Sequence, residues 1–232
     1  MELHILSGGA AAGLVEPLQA EFEAAHGCTL HGTFSAVGAM KEKLLAGAPC
    51  DVVILTQALV EGLVASGHVR ADSVRNLGVV KTGLAVKTGT PHPAIQTRAD
   101  LQAAFRAAEG IYFPDPKLAT AGIHFLKVLT ALGLEVELAD RFRTYPNGAT
   151  AMREMARASG HVLGGTQVTE INYTPGVDLI GLFPKEFELA TVYALGIATQ
   201  AQHAQLAQQL ADQLTSDGTR AQRTALGFEL AD

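Results

Sequence analysis

Four short stretches of small residues hold the chemistry this chain can do. Ser7-Gly8-Gly9-Ala10, Ser35-Ala36-Val37-Gly38, Thr120-Ala121-Gly122 and Asn147-Gly148 each lie between a short β-like run and a pattern of helical period. Each therefore reads as a turn from the carboxyl end of a strand into a helix. The first amides of a helix have no acceptor within it and stand at the positive end of its dipole, so such turns attract anions. Small side chains let the backbone approach a ligand, although any one such turn also serves simply as a tight bend. A second group of residues could move a proton. His124 lies one turn into the helix that starts near Ala121, and Glu170 falls in a helix after Gly164-Gly165-Thr166-Gln167. Imidazole, with its near-neutral pKa, is the usual proton carrier. Thr166 and Gln167 are expected to be neutral hydrogen-bond partners, with plain helix capping by Thr166 or Thr169 as the simpler alternative. Lys41, Arg75, Lys81 and Arg153 are the cations available to hold carboxylates.

The elements that must position these turns follow from periodicity. Leu3 to Leu6 is a strand, and Leu14, Leu18 and Phe22 recur at helical spacing up to Gly27. Thr29 to Phe34 alternates as a second strand, Met40 to Leu45 is helical, and Gly47-Ala48-Pro49 stops it. Asp51 to Leu55 contains the wholly apolar run Val52-Val53-Ile54-Leu55, which suits a parallel strand covered on both faces. A β-rich stretch from Gly78 to Val86 then leads into a second set. It comprises helix 100–108, strand 110–113, helix 121–132, a strand near 142–145, helix 150–159, strand 161–164 and a strand near 178–181. Leu189 to Ala198 is β-rich again, and a helix over 200–214 follows. Strands alternating with helices predict doubly wound α/β architecture. The two β-rich runs predict two crossings between lobes, with lobe one at 1–79 plus 191–232 and lobe two at 80–190.

Composition narrows the function. With 48% hydrophobic and 17% charged residues, the 232-residue chain is too apolar to be disordered. A net charge of −6 and a pI near 5.7 leave no basic surface for a phosphate backbone, so nucleic acid is not an expected partner. No apolar run approaches the roughly 18 to 20 residues of a membrane span. Cys28 and Cys50 are too few for a disulfide framework and lie outside any CxxC pair, so free thiols and no metal are expected. Ser7-Gly8-Gly9-Ala10 lacks both the GxxxxGK[ST] lysine and the GxGxxG spacing of nucleotide loops, and neither GxSxG nor HExxH occurs. No cofactor is expected. No strongly apolar exposed helix face stands out, which predicts a monomer. The N-terminus shows no signal peptide, so the expected location is periplasmic if an export signal was trimmed and cytoplasmic otherwise.

Read in order, LHILSGGAAAGLVEPLQAEFEAAHG, TFSAVGAMKEKLLAGAPCDVVIL, YFPDPKLATAGIHFLKVLTALGL and TVYALGIAT resemble the type II substrate-binding proteins of ABC transporters, in their molybdate-binding-protein-like branch. The resemblance spans almost the whole chain. It implies two lobes joined by two crossover strands, a small anionic ligand held in the cleft by hinge closure, and an ABC permease as partner. The serines that molybdate binders place on the first two turns fall here at Ala10 and at Ala36 to Gly38, and the tyrosine of a late turn falls near Gly165 to Gln167. With those hydroxyls missing, an organic acid fits better than tetrahedral molybdate, and the expected ligand is an organic carboxylate or an oxyanion. Small-acid isomerases, aconitate isomerase among them, resemble the same branch through Gly78 to Gly89, YFPDP and AGIHF. They imply the alternative of a proton shift in an unsaturated polycarboxylate, with His124 or Glu170 as the acid or base.

Overall fold

The computed structural model describes residues 1–230. Positions 231 and 232, assigned above to lobe one, lie outside the described residues. In chain order the elements begin with β1 (Glu2–Gly8), a 3-10 turn (Gly9–Ala11), α1 (Ala12–His26), β2 (Thr29–Ser35) and α2 (Val37–Leu45). They continue through β3 (Val52–Thr56), α3 (Gln57–Ala65), β4 (Arg75–Lys87), α4 (Arg98–Ala107) and β5 (Gly110–Pro114). Next come α5 (Thr120–Ala131), β6 (Phe142–Tyr145), α6 (Gly148–Arg157), β7 (Val162–Gln167), α7 (Val168–Tyr173) and β8 (Val177–Leu182). The chain closes with β9 (Ala190–Ile197), α8 (Ala204–Thr215), α9 (Arg220–Leu226) and β10 (Phe228–Glu229). It divides into two compact units: unit one is Met1–Val80 with the segment from Thr191 onward, and unit two is Lys81–Ala190. β4 and β9 carry the chain across.

In unit one, β1 lies between β2 and β3 and is parallel to both, while β9 runs antiparallel against β3 with Ile54 opposite Leu195. Val52, Val53, Ile54 and Leu55 have no exposed surface, as a strand covered on both faces requires. Leu3, Ile5, Leu14 and Phe22 pack into the same core. α1 ends at Gly27, whose φ of 60° is the left-handed cap that glycine adopts without strain.

Unit two repeats the plan. β5 lies between β6 and β7 and is parallel to both, and β4 runs antiparallel against β7. β8 pairs with the other edge of β4, with an irregularity between Leu84 and Ala85. Phe125 of α5 anchors this core, stacked on Phe113 at 4.9 Å and edge-on to Phe105 at 5.6 Å. One expectation is corrected here. The strand expected to stop at Gly164 continues to Gln167, because Gly83 and Thr82 of β4 extend the ladder opposite Thr166 and Gln167. Those two residues are strand residues, not turn residues, and both are buried.

Candidate functional site: strand-to-helix turns in each unit

Each unit has a run of three parallel strands, β1 to β3 in unit one and β5 to β7 in unit two, with the first of the run lying between the second and third. The connections leaving the carboxyl ends of the first and third strands diverge there, and at such a point open α/β sheets take ligands. In unit one the ends concerned are Gly8 of β1 and Thr56 of β3. In unit two they are Pro114 of β5 and Gln167 of β7.

In unit one, Ser7 is fully buried, and its hydroxyl donates to the carbonyl of Gly8 at 2.8 Å, so it does not serve as an outward donor. Gly8 is extended, and a side chain there would come within 2.6 Å of Val37 Cγ1 and 3.2 Å of Tyr193 Cε1. Its lack of a Cβ is a packing requirement, set by the first residue of α2. The turn Gly9–Ala11 runs into α1 with Ala10 buried, and neither element takes a side-chain cap. α2 starts after Ala36, again uncapped, with Val37 buried and Ser35 and Gly38 partly exposed. α3 starts after Thr56 in the same way. Thr56, which the sequence reading passed over, lies opposite Tyr193 of β9. Its signal was present, as a threonine between an apolar strand and a helix.

In unit two, α5 is uncapped after Ala119, and its first turn is Thr120, Ala121 and Gly122. A Cβ at Gly122 would overlap the carbonyl oxygens of Pro114 and Asp115, so this glycine lets α5 press against the end of β5. α6 is different. Asn147 Oδ1 accepts the amide of Thr150 at 2.8 Å, and Glu170 Oε1 accepts that of Ala149 at 3.3 Å. Thr166 Oγ1 donates to the other oxygen of this carboxylate at 2.5 Å. Asn147 and Gly148, expected to present bare amides, open a helix whose donors the protein itself has filled.

The candidate proton carriers are both held in place. Glu170 is buried, and desolvation pushes its carboxyl above the usual carboxylate range, while Thr166 and the amides pull the other way. His124 places Nε2 at 2.8 Å from the Phe187 carbonyl, so that nitrogen carries the hydrogen, and its ring meets Phe183 edge-on. Burial pushes its pKa below the ordinary imidazole value. Of the four candidate cations, Arg75 binds the carbonyls of Asp72 and Val74, Lys81 pairs with Glu188 at 3.5 Å, and Arg153 donates to Thr150. Lys41 is partly exposed on α2.

Two residues at the end of β7 escaped the sequence reading as ligand contacts. Thr82 lies directly opposite Gln167, and its buried hydroxyl has no hydrogen-bond partner among the described residues. Thr169, expected at most to cap a helix, is buried in α7 with a hydroxyl in the same condition. Buried hydroxyls are ordinarily satisfied, so these two are exceptions beside one strand end. Thr82 lies inside the β-rich run of β4, and Thr169 lies in the short helix α7. Among the described residues, no three His, Cys, Asp or Glu side chains gather as a metal site.

Comparison with known proteins agrees with this architecture. Residues 3–229 match the family described as bacterial extracellular solute-binding protein. The chain is 27% identical over 223 residues to an aconitate isomerase of a Pseudomonas species, covering 92% of this chain and 82% of that protein. Among solved structures, it is similar to the periplasmic molybdate-binding protein of Azotobacter vinelandii, with a TM-score of 0.79 and 19% identity over 99% of this chain and 100% of that one. It is also similar to a sulfate-binding protein of Mycobacterium tuberculosis, with a TM-score of 0.75 and 15% identity over 100% of this chain and 88% of that one. At these identities the structural likeness speaks for the fold, two doubly wound α/β lobes joined by two crossover strands.

Proposed function

From the premise that the chain belongs to the bacterial extracellular solute-binding protein family, we propose that it binds a small organic carboxylate as the ligand-carrying component of an ABC-type uptake system. The observation that carries this reading is a contrast between helix starts. α4 has a full capping box from Thr97 and Asp100, and α6 is capped by Asn147 and Glu170. α1, α2, α3, α5 and α7 have no side-chain cap and follow strand ends of the parallel sheets, and α8 and α9 are uncapped as well. Orphan amides of this kind are satisfied by water or by a ligand, and the helix dipole favours a negative one.

The choice of a carboxylate rests on the missing hydroxyls. The Ser7 hydroxyl is engaged with the Gly8 carbonyl, and Ala10 and Ala36 have none to offer. A tetrahedral oxyanion would find fewer donors than it has acceptor sites, and leaving buried charge unsatisfied is costly. A planar carboxylate needs fewer donors, and its carbon skeleton suits alanine-lined turns. In the same reading the protein works outside the cytoplasm, as a monomer, and delivers its ligand to a permease. The test is a thermal-shift and calorimetric panel of molybdate, sulfate, and mono-, di- and tricarboxylates. Binding to the native state alone raises stability by RT ln(1 + [L]/Kd). A carboxylate that stabilises the protein while molybdate and sulfate do not is the expected result, and stabilisation by molybdate alone overturns the choice of ligand.

A second reading is favoured by one observation, the 27% identity to an aconitate isomerase across most of both chains. An isomerase would remove a proton from one carbon of an unsaturated tricarboxylate, shift the double bond, and return a proton to the other end of the allylic unit. With Nε2 engaged by Phe187, His124 keeps Nδ1 as its basic atom, and Glu170 is the other candidate. Proton NMR of cis- and trans-aconitate incubated with the protein decides it. Interconversion that is lost in His124→Ala or Glu170→Ala establishes the enzyme, and two unchanged isomers leave the binder.

A further inference from the structure

The carboxylate of Glu170 stands where an anion would stand. It takes the amide of Ala149 at the start of α6 and the hydroxyl of Thr166 at the end of β7. Both partners are neutral. The charged groups on the elements packed around it make their bonds elsewhere. On α6, Arg153 binds Thr150 and Arg157 binds Glu154; on β6, Arg143 binds the carbonyls of Asp140 and Phe142; on β8, Asp178 binds Thr88. The glutamate is therefore an uncompensated internal acid, next to the strand end where the Thr82 and Thr169 hydroxyls lack partners.

We propose that Glu170 is the charge selector of the anion site, filling the donors of α6 with its own carboxylate and so disfavouring ligands in proportion to their negative charge. This rests on the anion-binding reading above and deepens it. A ligand meeting unit two finds helix starts without a side-chain cap at α5 and α7, and around Gln167 it finds neutral hydroxyls. When Glu170 is ionised, its negative charge repels each further charge on the ligand through a medium that screens poorly. Glu170 thereby acts as a positioning and selectivity residue that need not touch the ligand.

The test is calorimetry at pH 8 with acetate, succinate and propane-1,2,3-tricarboxylate, which carry one, two and three carboxylates. Each is titrated into the parent protein, Glu170→Gln and Glu170→Asp. The expected result is an affinity gain in Glu170→Gln that grows by about threefold or more with each added carboxylate. Glu170→Asp keeps the charge and keeps the parent's ranking, even if its shorter reach lowers stability. A glutamate with a purely structural role changes all three affinities by one common factor, and that outcome overturns the proposal while sparing the anion-binding reading. Failure of all three proteins to bind any of the acids overturns both.

Discussion

Gly148 and Glu170 share one space. A Cβ at Gly148 would overlap both Glu170 Oε2 and Thr166 Oγ1, so the carboxylate reaches the start of α6 only because the helix opens with glycine. Gly148→Ala forces an overpacked contact at a buried polar cluster. It should lower stability by about 1–3 kcal/mol, read as a lower urea midpoint with an unchanged m-value.

Gly62 gives the opposite expectation. It lies inside α3, and a Cβ there meets nothing within 4 Å. Gly62→Ala should raise stability by roughly 0.5–1 kcal/mol, because alanine has less backbone freedom to lose on folding. A fall in the urea midpoint would show that α3 packs against something in that open space.

His124 ties stability to acid. Its folded pKa lies below the ordinary imidazole value of about 6.5, mainly through desolvation. Below that value the unfolded chain takes up a proton that the folded histidine refuses, so this group's contribution to stability falls as pH drops from about 6.5 toward the folded pKa. His124→Gln removes this titrating group, and its stability between pH 7 and pH 5 should fall less steeply than that of the parent in parallel urea titrations.

The two thiols should separate by reactivity. Cys50 is buried, its Sγ lies 3.3 Å from the Val52 carbonyl, and burial pushes its pKa up to about 12. Cys28 is only partly buried. The thiolate is the reactive form, so Ellman's reagent at pH 8 should label one cysteine in the native protein, Cys28, and both in urea. Fast labelling of Cys50 in the native state would mean that the segment before β3 opens readily.

One substitution removes a single proposed donor. Thr120 is the first residue of α5, and Ala119 before it is extended, with φ −98° and ψ 127°. Proline is tolerated at a first helical position and prefers an extended predecessor, so Thr120→Pro deletes one amide and leaves the helix standing. Losing a hydrogen bond to a charged ligand should weaken carboxylate binding by about ten- to a hundredfold, with the circular dichroism spectrum unchanged. Unaltered affinity would take α5 out of the binding site.

Much of this protein is legible along the chain because its elements follow local rules. The apolar run 52–55 announces a strand covered on both faces, and the spacing of Leu14, Leu18 and Phe22 announces α1. Small-residue turns announce where helices start. The use each turn finds is less legible. Gly8, Gly122 and Gly148 all read as invitations to a ligand, and in the structure all three leave room for protein atoms. Thr166 and Gln167 read as turn residues and are instead the last rungs of a ladder that β4 completes.

The sequence by itself determined the alternation of strands and helices, the two crossings and the positions of the strand-to-helix turns, since each depends on periodicity and on residues near one another in the chain. Only the tertiary structure decided which helix starts stay bare. Glu170 lies 21 residues beyond Ala149, and Tyr193 lies far along the chain from Gly8. A donor is satisfied or left open by whatever the fold brings to it in space, and no local pattern carries that information.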